Sequence, residues 1–469
     1  MAKSNVAFFG AVTSLVFGAL GTTSAFAQAT VSFPERTCNV RDYGATGARL
    51  VPETAAFQKA IDDCAQKGGG TVAVPRGWWY VGPIHLKSNI RLDIAKYAVV
   101  QFAADPALYG TTKFPVTAEG KNADLALINI SDSKNVAITG EGTLDGQGYV
   151  WWEWMRDYWR GSAAANDGVA NQRQKVTRPR LLLANNVKDL LLDSVTFTNA
   201  PSFHVVLNHS QDITVRHVSI LAPASSPNTD AIDPGNSRNV LIENNLISCG
   251  DDIVAIKGSG EEPGYPDAAV SNIIIRNNRI FGGHGISIGS GTSGGVKHVL
   301  IENNTFEGSF HGLRIKTRRG FGGEVSDIVF RNNTMKDVEN VLTISDYFQY
   351  APLDLTVARA QMAKGGMLIV DLFYPPEDER PEPFVKNKTP DLHDITIDGL
   401  IATGAERAGI VIGLPERNIR NVTFRNVRIE AKSGLIVRNA SIRATDTSIT
   451  ATTGAPITKQ NRGQYLDQK

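Results

Sequence analysis

Asn239-Val-Leu-Ile-Glu-Asn-Asn245 is a pattern that recurs along this 469-residue chain, and its recurrence decides the fold. Close copies are Asn272-Ile-Ile-Ile-Arg-Asn-Asn278, His298-Val-Leu-Ile-Glu-Asn-Asn304 and Asp327-Ile-Val-Phe-Arg-Asn-Asn333. Looser copies begin at Asn135, Asp189, Asp212, Asp394 and Asn421. Each copy alternates apolar and polar residues and then reaches turn-forming residues, a pattern that predicts a short β-strand.

The spacing of the copies indicates how these strands are arranged. Successive copies from Asp189 to Asp327 begin 23, 27, 33, 26 and 29 residues apart. Hairpins of a β-sandwich need turns every 8–12 residues, roughly, and a doubly wound α/β fold needs helical patterns between its strands. A repeat of this length instead fits one coil of a solenoid, whose parallel strands stack about 4.8 Å apart. We therefore expect an all-β fold: a single parallel β-helix domain.

Alternation assigns the residues of each copy to the inside or the outside. The apolar pairs should point inward: Val240 and Ile242, Ile273 and Ile275, Val299 and Ile301. The charged residues should face outward: Glu243, Arg276, Glu302 and Arg331. The paired asparagines fit turns, because asparagine tolerates the left-handed backbone conformation. They are Asn244/Asn245, Asn277/Asn278, Asn303/Asn304 and Asn332/Asn333.

Two segments depart from the repeat. Thr54 to Lys67 carries apolar residues at helical spacing and ends at three glycines, so we expect a short helix that caps the open end of the solenoid. The repeat lapses from about 346 to 392, where a proline-rich stretch indicates a loop inserted into the domain. A single domain should therefore comprise residues 28–469, with this loop of about 346–392 inside it.

The first 27 residues resemble a secretory signal peptide. Lys3 precedes an apolar run from Val6 to Leu20, which is too short to span a bilayer. Ala25-Phe26-Ala27 then supplies the small-x-small cleavage pattern. We expect cleavage near Ala27 and export to the periplasm or the outside of the cell.

Composition narrows the function classes. The chain has 48 Lys and Arg against 47 Asp and Glu, so it lacks the strongly basic balance of nucleic-acid-binding domains. No later segment is apolar enough for a membrane helix, and we expect a monomer. Cys38 and Cys64 could pair in an oxidising compartment, which would leave Cys249 unpaired. The three cysteines show no metal-site spacing, and we expect neither metal nor cofactor.

A second register marks the candidate site. Asp252-Ile-Val-Ala-Ile-Lys257, His284-Gly-Ile-Ser-Ile-Gly289 and His311-Gly-Leu-Arg-Ile-Lys316 align without gaps. Asp230 joins this frame if Ile232 matches Val254. Stacked coils would then place Asp230, Asp252, His284 and His311 in one column, with neighbours about one coil spacing apart. His311 is interpreted as structural or cleft-lining.

The residues beside this column can be placed by the same alternation. Arg314 and Lys316 have the parity opposite to the apolar Leu313 and Ile315, so they should face outward. Asp251 and Asp252 can both reach the same cleft only if the strand begins after them, in a bend.

This set of side chains suits hydrolysis of an acidic polysaccharide. Inverting cleavage of a glycosidic bond takes one carboxylic acid to protonate the leaving oxygen and one carboxylate to activate water, roughly 6.5–9.5 Å away. Clustered carboxylates raise each other's pKa, so one can stay protonated. Guanidinium and ammonium groups would bind the carboxylate of an anionic sugar.

The motifs resemble those of the polygalacturonase family, glycoside hydrolase family 28. Four occur in the family's order and spacing: Asn228-Thr229-Asp230, Gly250-Asp251-Asp252, Gly283-His284-Gly285 and Arg314-Ile315-Lys316. Asp145-Gly146-Gln147-Gly148, Trp151-Trp152 and Gly413-Leu414-Pro415-Glu416 look like bacterial members. The resemblance implies a right-handed parallel β-helix and metal-independent, inverting hydrolysis of α-1,4 links in polygalacturonate.

The resemblance also implies residue roles. Asp251 would be the general acid, Asp230 and Asp252 would hold and deprotonate the water, and His284 would support Asp251. Arg314 and Lys316 would bind the substrate carboxylate. A family tyrosine on the following coil matches Tyr347, with Tyr350 and Tyr374 as alternatives. The tryptophans Trp151, Trp152, Trp154 and Trp159 fit either sugar stacking or buried packing.

Other functions remain open at this point. A calcium-dependent pectate lyase would cleave a similar polymer by β-elimination. A non-catalytic carbohydrate-binding solenoid would need no acid pair. Rhamnogalacturonan or xylogalacturonan would be alternative substrates for a hydrolase, and endo or exo action depends on loops at the ends of the cleft.

Overall fold

A computed structural model describes residues 29–109, 126–153, 178–260, 269–348 and 379–468. The predicted signal peptide and its cleavage site lie outside these residues. Within them, all pairings between the 33 strands are parallel, and the strands wrap into a β-helix with three faces. Five long strands bend from one face to the next: Ala126–Thr139, Arg180–Asp193, Ile401–Ile412, Arg428–Arg438 and Ser448–Gln460. The predicted all-β solenoid is confirmed.

The first face contains the repeat found in the sequence. Besides parts of the long strands it comprises Thr37–Asn39, Gly70–Val74, Ile90–Ile94, Gln211–Arg216, Arg238–Glu243, Val270–Arg276, Val296–Glu302, Glu324–Arg331, Asp391–Asp398, Ile419–Arg425, Ala440–Thr445 and Gln464–Gln468.

The other two faces are built from shorter strands. The second face comprises Gly77–Val81, Ala98–Phe102, Thr143–Asp145, Thr196–Thr198, Ser219–Leu221, Leu246–Ser248, Arg279–Phe281, Thr305–Glu307 and Thr334–Lys336. The third face comprises Ile84–Leu86, Val205–Asn208, Ile232–Gly235, Val254–Ile256, Ile286–Gly289, His311–Lys316 and Asn340–Ser345. Most strands of the second face have only three residues and give little periodicity, so the sequence did not predict that face, whereas the third face carries the second register found in the sequence.

The core is a stack of equivalent apolar positions. Val240 pairs in register with Ile273, which pairs with Val299, and all three side chains are buried as predicted. The charged residues lie on the outer surface of the same face, where Arg276 donates to Glu243 at 2.8 Å. Each coil thus buries its apolar side against its neighbours, and no single large core is required.

The two asparagines of each pair have different roles. Asn277 has a left-handed backbone (φ 57°), as do Asn244, Asn303 and Asn332, so the turn prediction holds for the first residue. The second residue is buried. Asn245, Asn278, Asn304 and Asn333 form a ladder in which each amide nitrogen donates to the side-chain oxygen of the next coil or to a backbone carbonyl.

A helix covers the amino-terminal end of the solenoid, as predicted. It spans Thr54–Gln66 and packs on the first strands through Phe57 and Ile61. Cys38 and Cys64 form a disulfide with a Cα–Cα distance of 6.0 Å, and Cys249 is free and buried, which settles a pairing that the sequence left open. The disulfide ties this helix to the first strand.

Short helices and the insertion complete the chain. Val40–Tyr43 and Pro106–Tyr109 are 3-10 helices, and a helical segment occupies 148–153. The repeat resumes at Asp391–Asp398 after the predicted inserted loop, of which 349–378 lies outside the described residues. In the part of the chain described, no helix has the length and apolar character needed to cross a membrane.

Candidate active site

The third face aligns its coils in the register that the sequence predicted. Ile232 pairs with Val254, Val254 with Ile286, and Ile286 with Leu313. Asp230, Asp252, His284 and His311 each lie two residues before a member of this row, so they occupy one column. Arg180 and Phe203 extend the column towards the amino terminus, because Leu182 pairs with Val205 and Val205 with Ile232.

Asp251 and Asp252 lie in a bend before the strand Val254–Ile256, which is the condition that the sequence required for both to reach the cleft. The Nδ1 atom of His284 lies 3.2 Å from Oδ1 of Asp251. Asn228 donates to the other oxygen of Asp251 at 3.3 Å. The backbone amide of Asp252 donates to Asp251 at 2.9 Å, which fixes the turn.

Asp252 is held by the predicted cations. Lys316 donates to its Oδ2 at 2.8 Å, and Arg314 lies 3.3 Å from its Oδ1. Ser287 donates to the same Oδ1 at 2.7 Å. Arg314 and Lys316 project away from the apolar interior as predicted, but both are 8% exposed or less because the cleft surrounds them. They therefore also orient a carboxylate of the protein itself.

Asp230 lies beside a carboxylate–ammonium pair that the sequence analysis did not include in the site. Lys257 donates to Asp233 at 2.6 Å and to Asp230 at 3.4 Å. The second oxygen of Asp230, Oδ1, is buried with no hydrogen-bond partner among the described residues. The sequence alignment could have identified Lys257. This residue occupies the same register position as Lys316, two coils closer to the amino terminus.

The three carboxylates differ electrostatically. Burial raises the pKa of Asp230 well above its ordinary value, and the charges of Asp251 and Asp233 add to this rise. Burial also raises the pKa of Asp252, but Lys316 and Arg314 outweigh it and hold that pKa well below its usual range. For Asp251 the charge and hydrogen bond of His284 outweigh burial and lower the pKa. A proton is therefore retained most readily by Asp230 in the free enzyme.

Two further residues position the carboxylates and were missed by the sequence analysis. Arg178 donates to Asn228 at 2.8 Å, and Asn228 in turn donates to Asp251. His204 lies 3.2 Å from the backbone carbonyl of Asp230, and burial lowers its pKa to about 4, so its imidazole stays neutral. Neither residue carries a motif that identifies this role in a single sequence.

Tyr347 lies at the far end of the site. Its hydroxyl donates to Glu379, and its ring packs with Ile410, Ile412 and Leu414. The next residue, Phe348, contacts the cations directly, with its ring centre 5.2 Å from the Lys316 ammonium. A substrate-binding role for Tyr347 stays a prediction, and the alternatives Tyr350 and Tyr374 lie outside the described residues.

The remaining residues singled out in the sequence are packed inside the protein. His311 is buried, lies 3.0 Å from the Thr343 hydroxyl and contacts the His284 ring edge-on. Trp151 and Trp152 are also buried, and Trp152 donates to the carbonyl of Ala200 at 3.1 Å, so both serve packing rather than sugar stacking. Trp154 and Trp159 lie outside the part of the chain described.

The spacing of the carboxylates differs from the expected one. One oxygen of Asp251, one of Asp252 and a nitrogen of His284 lie within 4.8 Å of one another. This is closer than the ~6.5–9.5 Å that inverting glycosidases typically leave between their two carboxyl groups. The same three groups could ligate a cation, although Arg314 and Lys316 already neutralise Asp252.

Sequence comparisons give relatives over most of the chain. The family Glycosyl hydrolases family 28 matches residues 64–364. An endo-polygalacturonase of Pectobacterium carotovorum subsp. carotovorum is 33% identical over 362 residues, which is 72% of this chain and 83% of the relative. One of Pectobacterium parmentieri is 30% identical over 456 residues, or 92% of this chain and 98% of the relative. For a probable polygalacturonase of Vitis vinifera, 32% identical, the match spans 66% of this chain but only 62% of the relative's length.

Solved structures of polygalacturonases are similar to this chain over most of its length. An exopolygalacturonase from Thermotoga maritima has a TM-score of 0.69 at 26% identity and covers 91% of this chain and 94% of its own. A polygalacturonase from Erwinia carotovora ssp. carotovora has a TM-score of 0.64 at 25% identity, and the match covers 94% of this chain and 99% of the other. The repeat, the column of carboxylates and these matches together show that the chain belongs to family 28 of the glycosyl hydrolases.

Proposed function

We propose that this protein is a polygalacturonase that hydrolyses α-1,4 links between galacturonic acid residues. The observation that carries the proposal is the grouping of Asp230, Asp251 and Asp252 with the cations Arg314 and Lys316 on one face of the β-helix. Carboxylates supply the acid and base of glycoside hydrolysis, and the cations match a substrate that is charged at every sugar.

In the proposed mechanism Asp251 and His284 share the proton that reaches the leaving oxygen. Their contact of 3.2 Å lets a proton pass from His284 to Asp251 as Asp251 gives its own proton to the leaving oxygen. Asp230 and Asp252 lie on adjacent coils and hold the attacking water between them. Asp230 must be ionised to accept a proton from that water, and Lys257 favours its ionised form.

Arg314 and Lys316 are proposed to bind the substrate carboxylate beside the scissile bond. Their contacts to Asp252 show that both side chains can bind a carboxylate, for which Arg offers five donors and Lys three. The ring of Phe348 lies against both cations and fixes their position. Tyr347 is a candidate for a further substrate contact.

We also propose that the mature protein is exported. Its polymer substrate is too large to enter a cell intact, and the disulfide Cys38–Cys64 is typical of oxidising compartments. A signal peptide at 1–27 would leave a single catalytic domain from residue 28. Mass spectrometry of the exported protein should find Gln28 at its amino terminus, whereas a retained leader would contradict this part of the proposal.

The test is an assay on polygalacturonate in which two products are followed together. With a calcium chelator present, the purified protein should release reducing ends without the ultraviolet absorbance of unsaturated uronides. Asp251→Asn should lose at least about a thousandfold in kcat. The matched control Asp327→Asn, an exposed carboxylate of the first face at a left-handed position that asparagine tolerates, should keep full activity.

Each other outcome selects a different function. Absorbance that appears only when calcium is restored would make the protein a lyase. Cleavage of rhamnogalacturonan or xylogalacturonan alone would identify a branched pectin as the substrate. Binding of polygalacturonate without any turnover would identify a carbohydrate-binding solenoid. Product sizes from the active enzyme would separate endo from exo action.

A further inference from the structure

A second group of cations lies on the amino-terminal side of the carboxylates. Arg180, Phe203 and Lys257 line an open pocket of about 150 Å³ on the third face. The Lys257 ammonium lies 4.7 Å from the centre of the Phe203 ring, and the Arg180 guanidinium lies 6.0 Å from it. The aromatic ring therefore holds both cations on the wall of one pocket.

This pocket adjoins the candidate active site through Lys257, which contacts both Asp233 of the pocket and Asp230. Arg180 and Phe203 occupy the column of Asp230 and Asp252, two coils and one coil before Asp230. Stacked coils are about 4.8 Å apart, so Arg180 lies roughly 10 Å along the column from Asp230. A sugar chain that crosses the carboxylates along this column would reach the pocket.

Arg180 differs from the other cations of the cleft in its contacts. Lys257 is bound to Asp233, Arg314 and Lys316 to Asp252, and Arg178 to Asn228 and two backbone carbonyls. Among the residues that the structure describes, no hydrogen bond or ion pair engages the Arg180 guanidinium, and its Nε is buried without a partner. A half-buried guanidinium in this state costs free energy that an anion would recover.

The balance of charges in the cleft also favours binding of an anion at Arg180. Five cations (Arg178, Arg180, Lys257, Arg314 and Lys316) surround four carboxylates (Asp230, Asp233, Asp251 and Asp252). Asp233, whose charge raises the pKa of Arg180, is already paired with Lys257 at 2.6 Å. Among the described residues, Arg180 is therefore a cation of this pocket that no carboxylate contacts.

We propose that Arg180, supported by Phe203 and Lys257, forms a separate subsite for the carboxylate of a uronic acid residue, two coils from the bond that is cleaved. This inference rests on the proposed function. Polar side chains of the same pocket, Asn208 and Asn236, can bind sugar hydroxyls. The subsite selects long, unesterified stretches of the polymer, because only these extend from the carboxylates to Arg180 with a free carboxylate.

The test compares Arg180→Gln with the wild type on galacturonate oligomers of increasing length, each unesterified or methyl-esterified only at the residue that would reach Arg180, so that Arg314 and Lys316 keep their carboxylate. On the longest unesterified oligomer the variant should lose about tenfold in kcat/KM, chiefly through KM. On the shortest oligomer that is cleaved, and on the esterified series, it should match the wild type. Arg180→Lys should recover part of the loss, and Arg238→Gln, an exposed arginine of the first face, should show none.

The outcomes separate the two proposals. A wild type that cleaves no oligomer would refute the proposed function, and the subsite with it. An active wild type with equal losses for Arg180→Gln on charged, esterified, short and long oligomers would mean that Arg180 only supports the fold. An active wild type with no loss in the variant on any oligomer would also overturn the subsite.

Discussion

At the scale of single residues, Asp230 and Asp252 have opposite protonation tendencies because of what each carboxylate contacts. Asp252 accepts hydrogen bonds from Lys316, Arg314 and Ser287, which stabilise its negative charge. Asp230 has one weak contact to Lys257 and faces other carboxylates across a buried site. Two carboxylates on adjacent coils can therefore act on one water with different basicity.

This difference predicts the acidic limb of the pH profile. Asp230 must lose its proton to act as the base, and its raised pKa places that loss above the ~4 of an ordinary aspartate. Activity should therefore fall as pH drops through the raised pKa. In Lys257→Met the charge that lowers the pKa of Asp230 is gone, so the limb of kcat/KM should move to higher pH.

The matched control for this experiment is Lys188→Met, an exposed lysine of the first face, whose limb should coincide with that of the wild type. Circular dichroism would verify that both variants are folded. A limb that stays in place in Lys257→Met would mean that Asp230 is not the group that titrates.

Some positions of the candidate site could be predicted from the sequence, and some contacts between its side chains could not. The column of Asp230, Asp252 and His284 followed from a gapless alignment, because parallel coils stack equivalent positions. The pairing of Arg314 and Lys316 with Asp252 did not follow, since it depends on side-chain directions across two coil gaps. Lys257 was in the aligned segment but was not recognised, because its contact with Asp233 on the preceding coil cannot be seen in the sequence.

At the scale of elements, the repeated Asn-Asn pair does two jobs. The first asparagine makes the left-handed turn, and the second joins a buried ladder that links the coils. The sequence predicted the turn from the known tolerance of asparagine. It did not predict the ladder, because nothing in one coil indicates that its amide meets the amide of the next.

Substitutions in one pair separate these two jobs. Asn278→Ala should lower the free energy of unfolding by about 3 kcal/mol, because it leaves the buried amides of Asn245 and the carbonyl of Ile242 without their partner. Asn277→Gly should change it by less than about 0.5 kcal/mol, since glycine adopts the left-handed backbone freely. Urea unfolding of both variants would measure the difference, and equal losses would contradict the ladder.

At the scale of the whole molecule, the active site lies on the side of the solenoid, on its third face. The two ends of the solenoid must therefore be closed by other elements. The amino-terminal end is closed by the helix Thr54–Gln66 and the disulfide Cys38–Cys64. The fold class followed from the repeat length alone. The three-faced cross-section did not, because most strands of the second face have only three residues, too few to show a period.

The disulfide should contribute measurably to stability. Its half-cystines are 26 residues apart, and a loop of this size stabilises by about 3.5 kcal/mol in the chain-entropy description. Reductant should therefore lower the urea midpoint of the wild type to that of the double variant Cys38→Ala, Cys64→Ala. The double variant should not respond to reductant, and a response of the same size would assign the effect to another group.

The central claim is that two carboxylates on adjacent coils activate water, and the stereochemistry of the product tests it most directly. Asp251 and Asp252 are close enough for the alternative, in which one carboxylate attacks the sugar and configuration is retained. The three contacts on Asp252 from Lys316, Arg314 and Ser287 make it a poor nucleophile. Proton NMR in the first minutes of cleavage should therefore show the β-anomer of the new reducing end. The α-anomer appearing first would contradict the claim.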